Sequence, residues 1–269
     1  MAMNKRVEVT GKYPEPLQIV ERPIPACPPK GVILKTHFAG ICHTDVHCWK
    51  DAFKLEEGKA LTMEEYVGPT FSYPIVMGHE ISGVVQELGP EYKGPVKVGD
   101  RAVLYPWIGC NNCGFCRVEK YATCEKVLAL CNGMGGRDGG YQQYVVGPDA
   151  DFAVKVPDSI GLDVACMFGC STLTSFTAVQ TIQSTVETFC KMNGTASVLI
   201  VGAGGLGLWA VTLAKALLPP QAKVYIADIA EEKFAPAMAL GADGSVLWDI
   251  GTSEEELVAR TKAATGGGL

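Results

Sequence analysis

Hydrophobic and polar residues follow one pattern in the first part of the 269-residue chain and another in the second. Over residues 1–165, short apolar or alternating runs are separated by glycine and proline, as is typical of strands joined by turns. Strands are predicted at Val7–Val9, Leu17–Val20, Val32–Phe38, Ile81–Val85, Ala102–Tyr105, Tyr141–Val146 and Phe152–Val156. They predict a compact, barrel-like β domain. Residues 51–73 interrupt it with a charged stretch that has helical leanings at Lys54–Glu57 and Met63–Tyr66, which we expect to be a surface excursion.

Residues 166–269 alternate continuous apolar runs with helical patterns. The apolar runs are typical of parallel strands buried on both faces. Strands are predicted at Ser197–Val201, Lys223–Ala227 and Ser245–Trp248, and helices at Leu208–Leu217, at Glu231–Leu240 and from a capping box at Ser253–Glu256 to Ala264. The whole chain is therefore predicted to be an α/β protein in which a β-rich domain precedes a domain of alternating strands and helices.

Composition narrows the classes of function. A hydrophobic content of 48% and a charged content of 19% are ordinary for a globular protein. The net charge of −6, without a basic run, argues against nucleic acid as a partner. The N-terminus has no apolar signal core, so we expect a cytoplasmic protein. An uncharged window at residues 196–214 is long enough to span a membrane, but its glycines divide it into strand, turn and helix, so no membrane association is expected.

Four of the eleven cysteines form a C-x2-C-x2-C-x7-C motif, namely Cys110, Cys113, Cys116 and Cys124. Four thiolates in a loop with glycine and asparagine can enclose one zinc ion tetrahedrally, which predicts a structural zinc lobe near residues 110–124. An iron–sulfur cluster is the alternative metal centre. Four unligated thiols are disfavoured, because this polar loop offers no apolar core for them.

A second group of candidate metal ligands consists of residues that lie far apart in the sequence. Cys42 follows the predicted strand Val32–Phe38, and His79 lies in a Gly-His-Glu segment. Cys170 is the best candidate for a third ligand, and such a Cys2His set leaves the fourth zinc position open for water or substrate. Considered alone, Cys42 would more often be a small buried apolar side chain. His79, considered alone, would more often be a hydrogen-bonded structural histidine.

The strand Ser197–Val201 leads directly into a glycine motif and then a helix, and the next strand ends on Asp228. This arrangement is the dinucleotide-binding fingerprint in its required context. The predicted pyrophosphate loop consists of Gly202, Gly204, Gly205, Leu206 and Gly207. Asp228 is predicted to accept hydrogen bonds from the adenosine ribose and to repel a 2′-phosphate, which favours NAD over NADP. Lys233 is a further candidate for cofactor binding.

Together, and in this order along nearly the whole chain, the motifs resemble those of the zinc-dependent medium-chain alcohol dehydrogenase family. The resemblance implies a barrel-like (GroES-like) catalytic domain joined to a Rossmann domain, with the active site between them. It implies hydride transfer between an alcohol and NAD, giving an aldehyde or ketone. It also implies two zinc ions per chain, a catalytic one held by Cys42, His79 and Cys170 and a structural one held by the four-cysteine motif.

The resemblance assigns further roles near the catalytic zinc. Thr44 resembles the hydroxyl that takes the alcohol proton, and His47 the imidazole that passes it to solvent through a cofactor ribose. Asp45 resembles the partner that orients His79. Glu80 resembles a carboxylate close behind the metal.

Two more residues are assigned to cofactor binding by the resemblance. His43 resembles the basic residue near the pyrophosphate, and Thr174 a residue beside the nicotinamide. A surface histidine is the alternative for His47, and a purely structural hydrogen bond is the alternative for Thr174 and Glu80.

Two features depart from the family pattern. The interval from Cys42 to His79 is longer than in most members because of residues 51–73, so the resemblance does not specify the alcohol. Members also continue into a second half of the Rossmann sheet, through which they usually form homo-oligomers. We therefore expect a C-terminally truncated chain that binds NAD weakly and turns over alcohol slowly. The alternative to an enzyme is a non-catalytic, zinc-stabilised binding module.

Overall fold

The computed structural model describes residues 2–54, 58–69 and 71–267. The chain divides into two compact units, residues 1–170 and 171–269, whereas the sequence pattern placed the division after residue 165. Residues 55–57, part of the predicted helical segment Lys54–Glu57, lie outside the described residues.

The first unit is rich in strands, as predicted. Its strands are β1 Met3–Glu8, β2 Gln18–Pro23, β3 Val32–Gly40, β4 Phe53–Lys54, β5 Ala60–Leu61, β6 Glu80–Leu88, β7 Arg101–Leu104, β8 Tyr144–Gly147 and β9 Ala153–Lys155. Its helices are α1 His43–Trp49, α2 Met63–Val67, α3 Gly114–Arg117, α4 Val127–Leu130 and α5 Leu162–Ala165. Single 3-10 turns occupy Tyr121–Thr123, Ala150–Phe152 and Cys166–Gly169.

An antiparallel sheet with the strand order β8-β3-β6-β7-β9 forms the centre of this unit. Its apolar side chains form one core, which includes Val32, Leu34, Ile81, Val85, Leu104 and Val145. The register pairs Gly40, the last residue of β3, with Glu80, the first residue of β6. The segment that follows β3 and the segment that precedes β6 therefore lie at the same end of the sheet.

The 3-10 turn Cys166–Gly169 packs against β3, β6 and β7. This packing is the reason that the turn and the following Cys170 belong to the first unit rather than to the second. The third predicted zinc ligand is consequently attached to the same sheet as the other two.

The N-terminal hairpin of β1 and β2 is joined to the sheet by a buried amide. Asn4 is fully buried, and its Nδ2 donates to Gln142 Oε1 (2.8 Å) and to the Tyr144 carbonyl (2.9 Å). Its Oδ1 accepts from the Tyr144 backbone N–H (3.0 Å). These bonds hold the segment just before β8 in place.

Residues 51–73 were expected to be a surface excursion because of their charge. That expectation was wrong, because part of the segment is buried. Helix α2 forms where predicted, and a capping box with Thr62 begins it. Met63, Val67 and Phe71 are buried in a core cluster that this segment shares with α1. Because Met63 and Val67 are four apart, they lie on one face of α2, while Glu64 and Glu65 between them are exposed.

The second unit is built on three parallel strands in the order β10-β11-β12, with β10 Ala196–Val201, β11 Ala222–Asp228 and β12 Gly244–Leu247. Its helices are α6 Ser171–Asn193, α7 Gly205–Leu217, α8 Phe234–Ala239, which follows a 3-10 turn at Glu231–Lys233, and α9 Glu254–Thr265. Val211, Ala214, Val224, Ile226 and Ala237 are among its most buried core residues. The predicted strands and helices are all present in the described residues, with ends shifted by a residue or a few.

Two details of the second unit differ from the sequence prediction. The long helix α6 was not predicted, because its many serine and threonine residues weaken the apolar stripe that Val179 and Val186 provide. At the start of α9, the Ser253 hydroxyl accepts from the Glu256 N–H (3.3 Å), but the Glu256 carboxylate pairs with Arg260 (2.6 Å) instead of completing the capping box.

No single helix among the described residues is both long enough and apolar enough to cross a membrane. The bent pair of segments 162–169 and 171–193 meets the criteria of length and composition alone. The uncharged window at residues 196–214 consists of β10, the glycine loop and part of α7.

Candidate functional site

The structure brings Cys42, His79 and Cys170 together at the end of the sheet where β3 ends and β6 begins. Cys42 precedes α1 as its N-cap residue, His79 immediately precedes β6, and Cys170 follows the 3-10 turn on that sheet. Their potential ligand atoms all lie within 4.8 Å of one another, and His79 Nε2 is 3.3 Å from Cys170 Sγ.

This donor set fits zinc. One imidazole nitrogen and two thiolate sulfurs are preferred zinc ligands, and three protein ligands leave one position for water or substrate. His79 is only 1% exposed, while Cys42 and Cys170 are half-buried. The group is therefore held inside the protein yet reachable from outside.

A buried carboxylate, Asp45, orients two of these ligands. Its Oδ2 accepts from the Cys42 N–H (2.9 Å) and from the Tyr141 hydroxyl (2.8 Å). Its Oδ1 accepts from the Gly78 N–H (3.1 Å) and lies 3.6 Å from His79 Nδ1, close enough for charge attraction but too long for a hydrogen bond. Asp45 thus connects the turn that carries Cys42 to the turn that carries His79, as the resemblance implied for a partner of the histidine.

The protonation states of the three ligands depend on each other. A hydrogen bond from the Cys170 thiol, aided by His79 and Thr44, lowers the pKa of Cys42 to about 3 despite burial. The same contact, together with burial, raises the pKa of Cys170. Burial alone would lower the pKa of His79, but Asp45 and Cys42 outweigh it and raise this pKa to about 9. The group therefore retains protons that a metal cation would displace.

Glu80 lies beside this group without belonging to it. Among the described residues, the three-ligand group contains no Glu80 oxygen. The buried carboxylate instead hydrogen-bonds the Cys170 thiol and contributes to the raised pKa of Cys170. Its Oε2 also lies so close to Gly40 that any larger residue at position 40 would collide with it. Glu80 therefore lies beside the three candidate ligands and is not a fourth member of their group.

The residues proposed for proton transfer lie on α1. The Thr44 hydroxyl is 3.6 Å from Cys42 Sγ. His47 Nδ1 is 3.2 Å from the Ala52 carbonyl, and its ring contacts those of the exposed His43 (4.9 Å) and of Phe53 (5.7 Å). Since a carbonyl can only accept, a bond to Ala52 places the proton on Nδ1 and leaves Nε2 as the acceptor of a neutral imidazole.

The four-cysteine motif forms a second, separate group. The sulfurs of Cys110, Cys113, Cys116 and Cys124 all lie within 4.8 Å of one another. Four thiolates at about 2.3 Å from one tetrahedral ion are about 3.8 Å apart, so this spacing favours a single ion over a cluster of several irons.

Backbone hydrogen bonds prepare this group for metal. The N–H groups of Cys110 and Lys126 donate to Cys124 Sγ (3.3 and 3.4 Å). The Cys116 N–H lowers the pKa of Cys113 to about 6, whereas burial raises the pKa of Cys116 to about 11. Four ligands from the protein close the coordination, as in structural zinc sites.

The glycine loop after β10 leaves open space at the start of α7. Gly202 has a φ of +100°, and Gly204 is the N-cap of α7, so no side chain caps this helix. A Cβ on Gly202, Gly204 or Gly205 would meet no atom within 4 Å, whereas one on Gly207 would collide with the Gly202 carbonyl. Leu206 points to solvent, with 52% of its surface exposed. The open space beside the backbone N–H groups at the N-terminus of α7 fits a pyrophosphate.

Asp228, the last residue of β11, holds this loop in place through hydrogen bonds. Its Oδ2 accepts from the Ala203 N–H (2.6 Å), and its Oδ1 accepts from the Ala230 N–H (3.0 Å) and from Lys233 Nζ (3.1 Å). These donors, the Ala203 N–H foremost, lower the pKa of Asp228 and keep it charged. The predicted ribose-binding carboxylate therefore also has a structural task, and Lys233 is its ion-pair partner.

Helix α6 adds a contact that sequence reasoning missed. Ser175 is buried, and its hydroxyl donates to the Leu206 carbonyl of the glycine loop (2.8 Å). The neighbouring Thr174 is exposed in the first turn of α6. Because α6 itself was not predicted, the sequence offered no sign that Ser175 supports the loop.

Comparison with known proteins agrees with these observations. Residues 28–158 match the family described as alcohol dehydrogenase GroES-like domain. The chain is 31% identical over 233 residues to the NAD-dependent alcohol dehydrogenase of Sulfolobus acidocaldarius, covering 86% of this chain and 61% of that protein. It is 31% identical over 256 residues to the corresponding enzyme of Sulfurisphaera tokodaii, covering 94% and 66%.

The structural likeness extends over both units. The alcohol dehydrogenase from the hyperthermophilic archaeon Aeropyrum pernix matches with a TM-score of 0.78 and 27% identity, covering 98% of this chain and 69% of that chain. The chain spans 61% of the length of the Sulfolobus acidocaldarius enzyme and 66% of that of the Sulfurisphaera tokodaii enzyme. The fold, the order of the motifs and these relatives agree, and the chain belongs to the medium-chain alcohol dehydrogenase family.

Proposed function

We propose that the protein is a zinc-dependent oxidoreductase that transfers hydride between an alcohol and NAD, giving an aldehyde or ketone. The convergence of Cys42, His79 and Cys170 within 4.8 Å carries this proposal, because it forms an open metal site. The NAD-dependent alcohol dehydrogenases among the relatives support the reaction class. A cytoplasmic location suits eleven cysteines that all have free thiols.

The side chains at the metal site have distinct tasks in this proposal. A zinc ion held by Cys42, His79 and Cys170 would act as a Lewis acid that makes an alcohol hydroxyl more acidic. Thr44, next to Cys42, would accept the proton from the alcohol. His47 would receive it on Nε2, which the Ala52 contact leaves free, and release it toward solvent.

The glycine loop and Asp228 would hold the cofactor. NAD when bound accepts the hydride. The N–H groups at the start of α7 would bind its pyrophosphate, and Asp228 would disfavour a 2′-phosphate by charge repulsion. His43 and Thr174 are further cofactor contacts in this proposal, and small-molecule alcohols, aldehydes or ketones are its substrates.

The first prediction is alcohol-dependent reduction of NAD, measured by NADH absorbance over a panel of primary, secondary and polyhydric alcohols. Cys42→Ser should lower the rate by about 100-fold or more, because a Lewis-acid metal contributes several kcal/mol. Cys190→Ser, which changes a half-buried thiol on α6 outside both ligand groups, is the matched control. If the protein binds zinc and NAD but reduces no NAD with any alcohol, it is a zinc-stabilised binding module instead.

The second prediction is two zinc ions per chain, because the two ligand groups are independent. Cys113→Ser should leave one zinc and destabilise residues 110–124, since structural zinc contributes directly to folding. Cys42→Ser should also leave one zinc, with less effect on thermal unfolding. Elemental analysis of the three proteins checks this, and one zinc or none in the unaltered chain would contradict it.

The third prediction is that zinc binds the group formed by Cys42, His79 and Cys170 (the Cys42 group) more tightly as the pH rises. With a pKa of about 9 at His79 and a raised pKa at Cys170, both groups hold a proton that zinc must displace at neutral pH. Apparent affinity should therefore rise by about tenfold per displaced proton and pH unit between about pH 6.5 and 8.5. Competition with a chromogenic chelator, corrected for the chelator's own titration, measures this. An affinity that stays constant over the range would show that no proton is displaced.

The fourth prediction concerns Asp228→Ala. Removing the carboxylate should narrow the preference for NAD over NADP by about tenfold, because it removes the repulsion of a 2′-phosphate and frees Lys233 to attract one. Dissociation constants for both nucleotides, measured by calorimetry, check the change. Asp249→Ala, which removes a surface carboxylate paired with Arg260, is the control. Unchanged binding of both nucleotides would show that Asp228 does not face the ribose.

A further inference from the structure

Tyr141 is placed against the turn that carries His79. The sequence predicts it as the start of a strand, but β8 begins at Tyr144 and Tyr141 lies before it. Its N–H donates to the Met77 carbonyl (3.0 Å), and its carbonyl accepts from the Val7 N–H (2.9 Å). The backbone of this half-buried tyrosine is therefore fixed on both sides.

The ring of Tyr141 fills the space next to Gly78. Gly78 has a φ of +93°, which favours glycine, and a Cβ at this position would collide with the tyrosine ring. The glycine before His79 is thus required both by the turn and by the approach of Tyr141. This contact sets the direction in which the tyrosine hydroxyl points.

The hydroxyl points at Asp45. It donates to Asp45 Oδ2 at 2.8 Å and lies 3.2 Å from the Gly40 carbonyl, so the carboxylate is the closer acceptor. Burial, followed by the charge of Asp45, raises the pKa of Tyr141 and keeps the hydroxyl protonated. Tyr141 is therefore a permanent donor to this carboxylate.

Each Asp45 oxygen faces two partners. Oδ2 accepts from the Cys42 N–H and from Tyr141, while Oδ1 accepts from the Gly78 N–H and faces His79 Nδ1. Without the tyrosine hydroxyl, Oδ2 would keep only one donor, and the buried carboxylate could rotate to find another. Such a rotation would carry Oδ1 away from the histidine that it orients.

We propose that Tyr141 is a positioning residue of the metal site, because its hydroxyl fixes Asp45 and thereby holds His79 and Cys42 ready to bind zinc. The proposal rests on the zinc-binding part of the proposed function. Within the described part of the chain, the Tyr141 hydroxyl hydrogen-bonds Asp45 and the Gly40 carbonyl rather than a ligand side chain, so its effect is expected to pass through the carboxylate.

The test begins with Tyr141→Phe, which keeps the ring against Gly78 and removes only the hydroxyl. Partners of ligating histidines contribute about 10–100-fold to metal affinity, and a residue one step further away should lie at the lower end. We expect the Cys42 group to lose zinc to a chelator about 10-fold more readily, while the zinc of the four-cysteine group is retained. Tyr144→Phe, the same substitution on β8 at a half-buried tyrosine, should behave like the unaltered chain.

A double-mutant cycle shows whether the effect passes through Asp45. Asp45→Asn alone should weaken zinc retention more than Tyr141→Phe does, and adding Tyr141→Phe to it should change retention by less than about twofold. Cobalt substitution confined to the Cys42 group, with zinc kept in the four-cysteine group, gives a second readout, because the visible spectrum then reports the geometry at the Cys42 group. The spectrum should change in Tyr141→Phe and stay unchanged in Tyr144→Phe.

Two results would overturn the proposal. One is zinc retention and a cobalt spectrum in Tyr141→Phe that match those of the unaltered chain. The other is full additivity with Asp45→Asn, which would assign the effect to the Gly40 contact or to ring packing. Alcohol oxidation is measured separately: a chain that holds zinc as described but reduces no NAD would refute the dehydrogenase function and leave the role of Tyr141 standing.

Discussion

The antiparallel register of β3 and β6 is the constraint on which the metal site depends. Because Gly40 pairs with Glu80, the chain leaves β3 and enters β6 at the same place, and Cys42 and His79 lie one or two residues beyond that pair. A shift of one residue would turn every side chain of a strand to the opposite face. The buried apolar residues of the sheet forbid such a shift, so the hydrophobic core determines the spacing of the ligands.

The same register concentrates negative charge. Asp45 and Glu80 are both buried, and the low pKa of Cys42 adds a thiolate to them. Grouping such charges without compensation is costly, because burial removes their solvation. A proton on His79 supplies part of the compensation, and a divalent cation bound by this group would supply more. The acidic surroundings thus favour a cation at this position of the fold.

Residue types and spacing predicted the features that follow from local chemistry, and the family resemblance added the grouping of Cys42, His79 and Cys170 with Asp45. Contacts between distant segments outside these motifs were missed. The glycine loop and the four-cysteine motif are contiguous, so residue types and spacing were enough to predict them. The burial of Met63 was missed because neighbouring charges dominate its segment. Ser175 and Tyr141 were missed because each acts on a residue far away in sequence, Leu206 and Asp45 respectively. No periodicity within a single segment carries that information.

Asp45 in the first unit and Asp228 in the second have the same structural role, which is to hold a glycine-containing turn in place. Each is a buried carboxylate that accepts backbone N–H groups from a turn containing glycine, Gly78 in one case and the Ala203 loop position in the other. Glycine makes such turns possible but also leaves them with few side-chain contacts of their own. A charge-assisted hydrogen bond from the turn to a fixed carboxylate restores the lost rigidity. Replacement of either aspartate by a neutral residue should therefore loosen a binding turn as well as remove a charge, and the two effects have to be separated when such variants are interpreted.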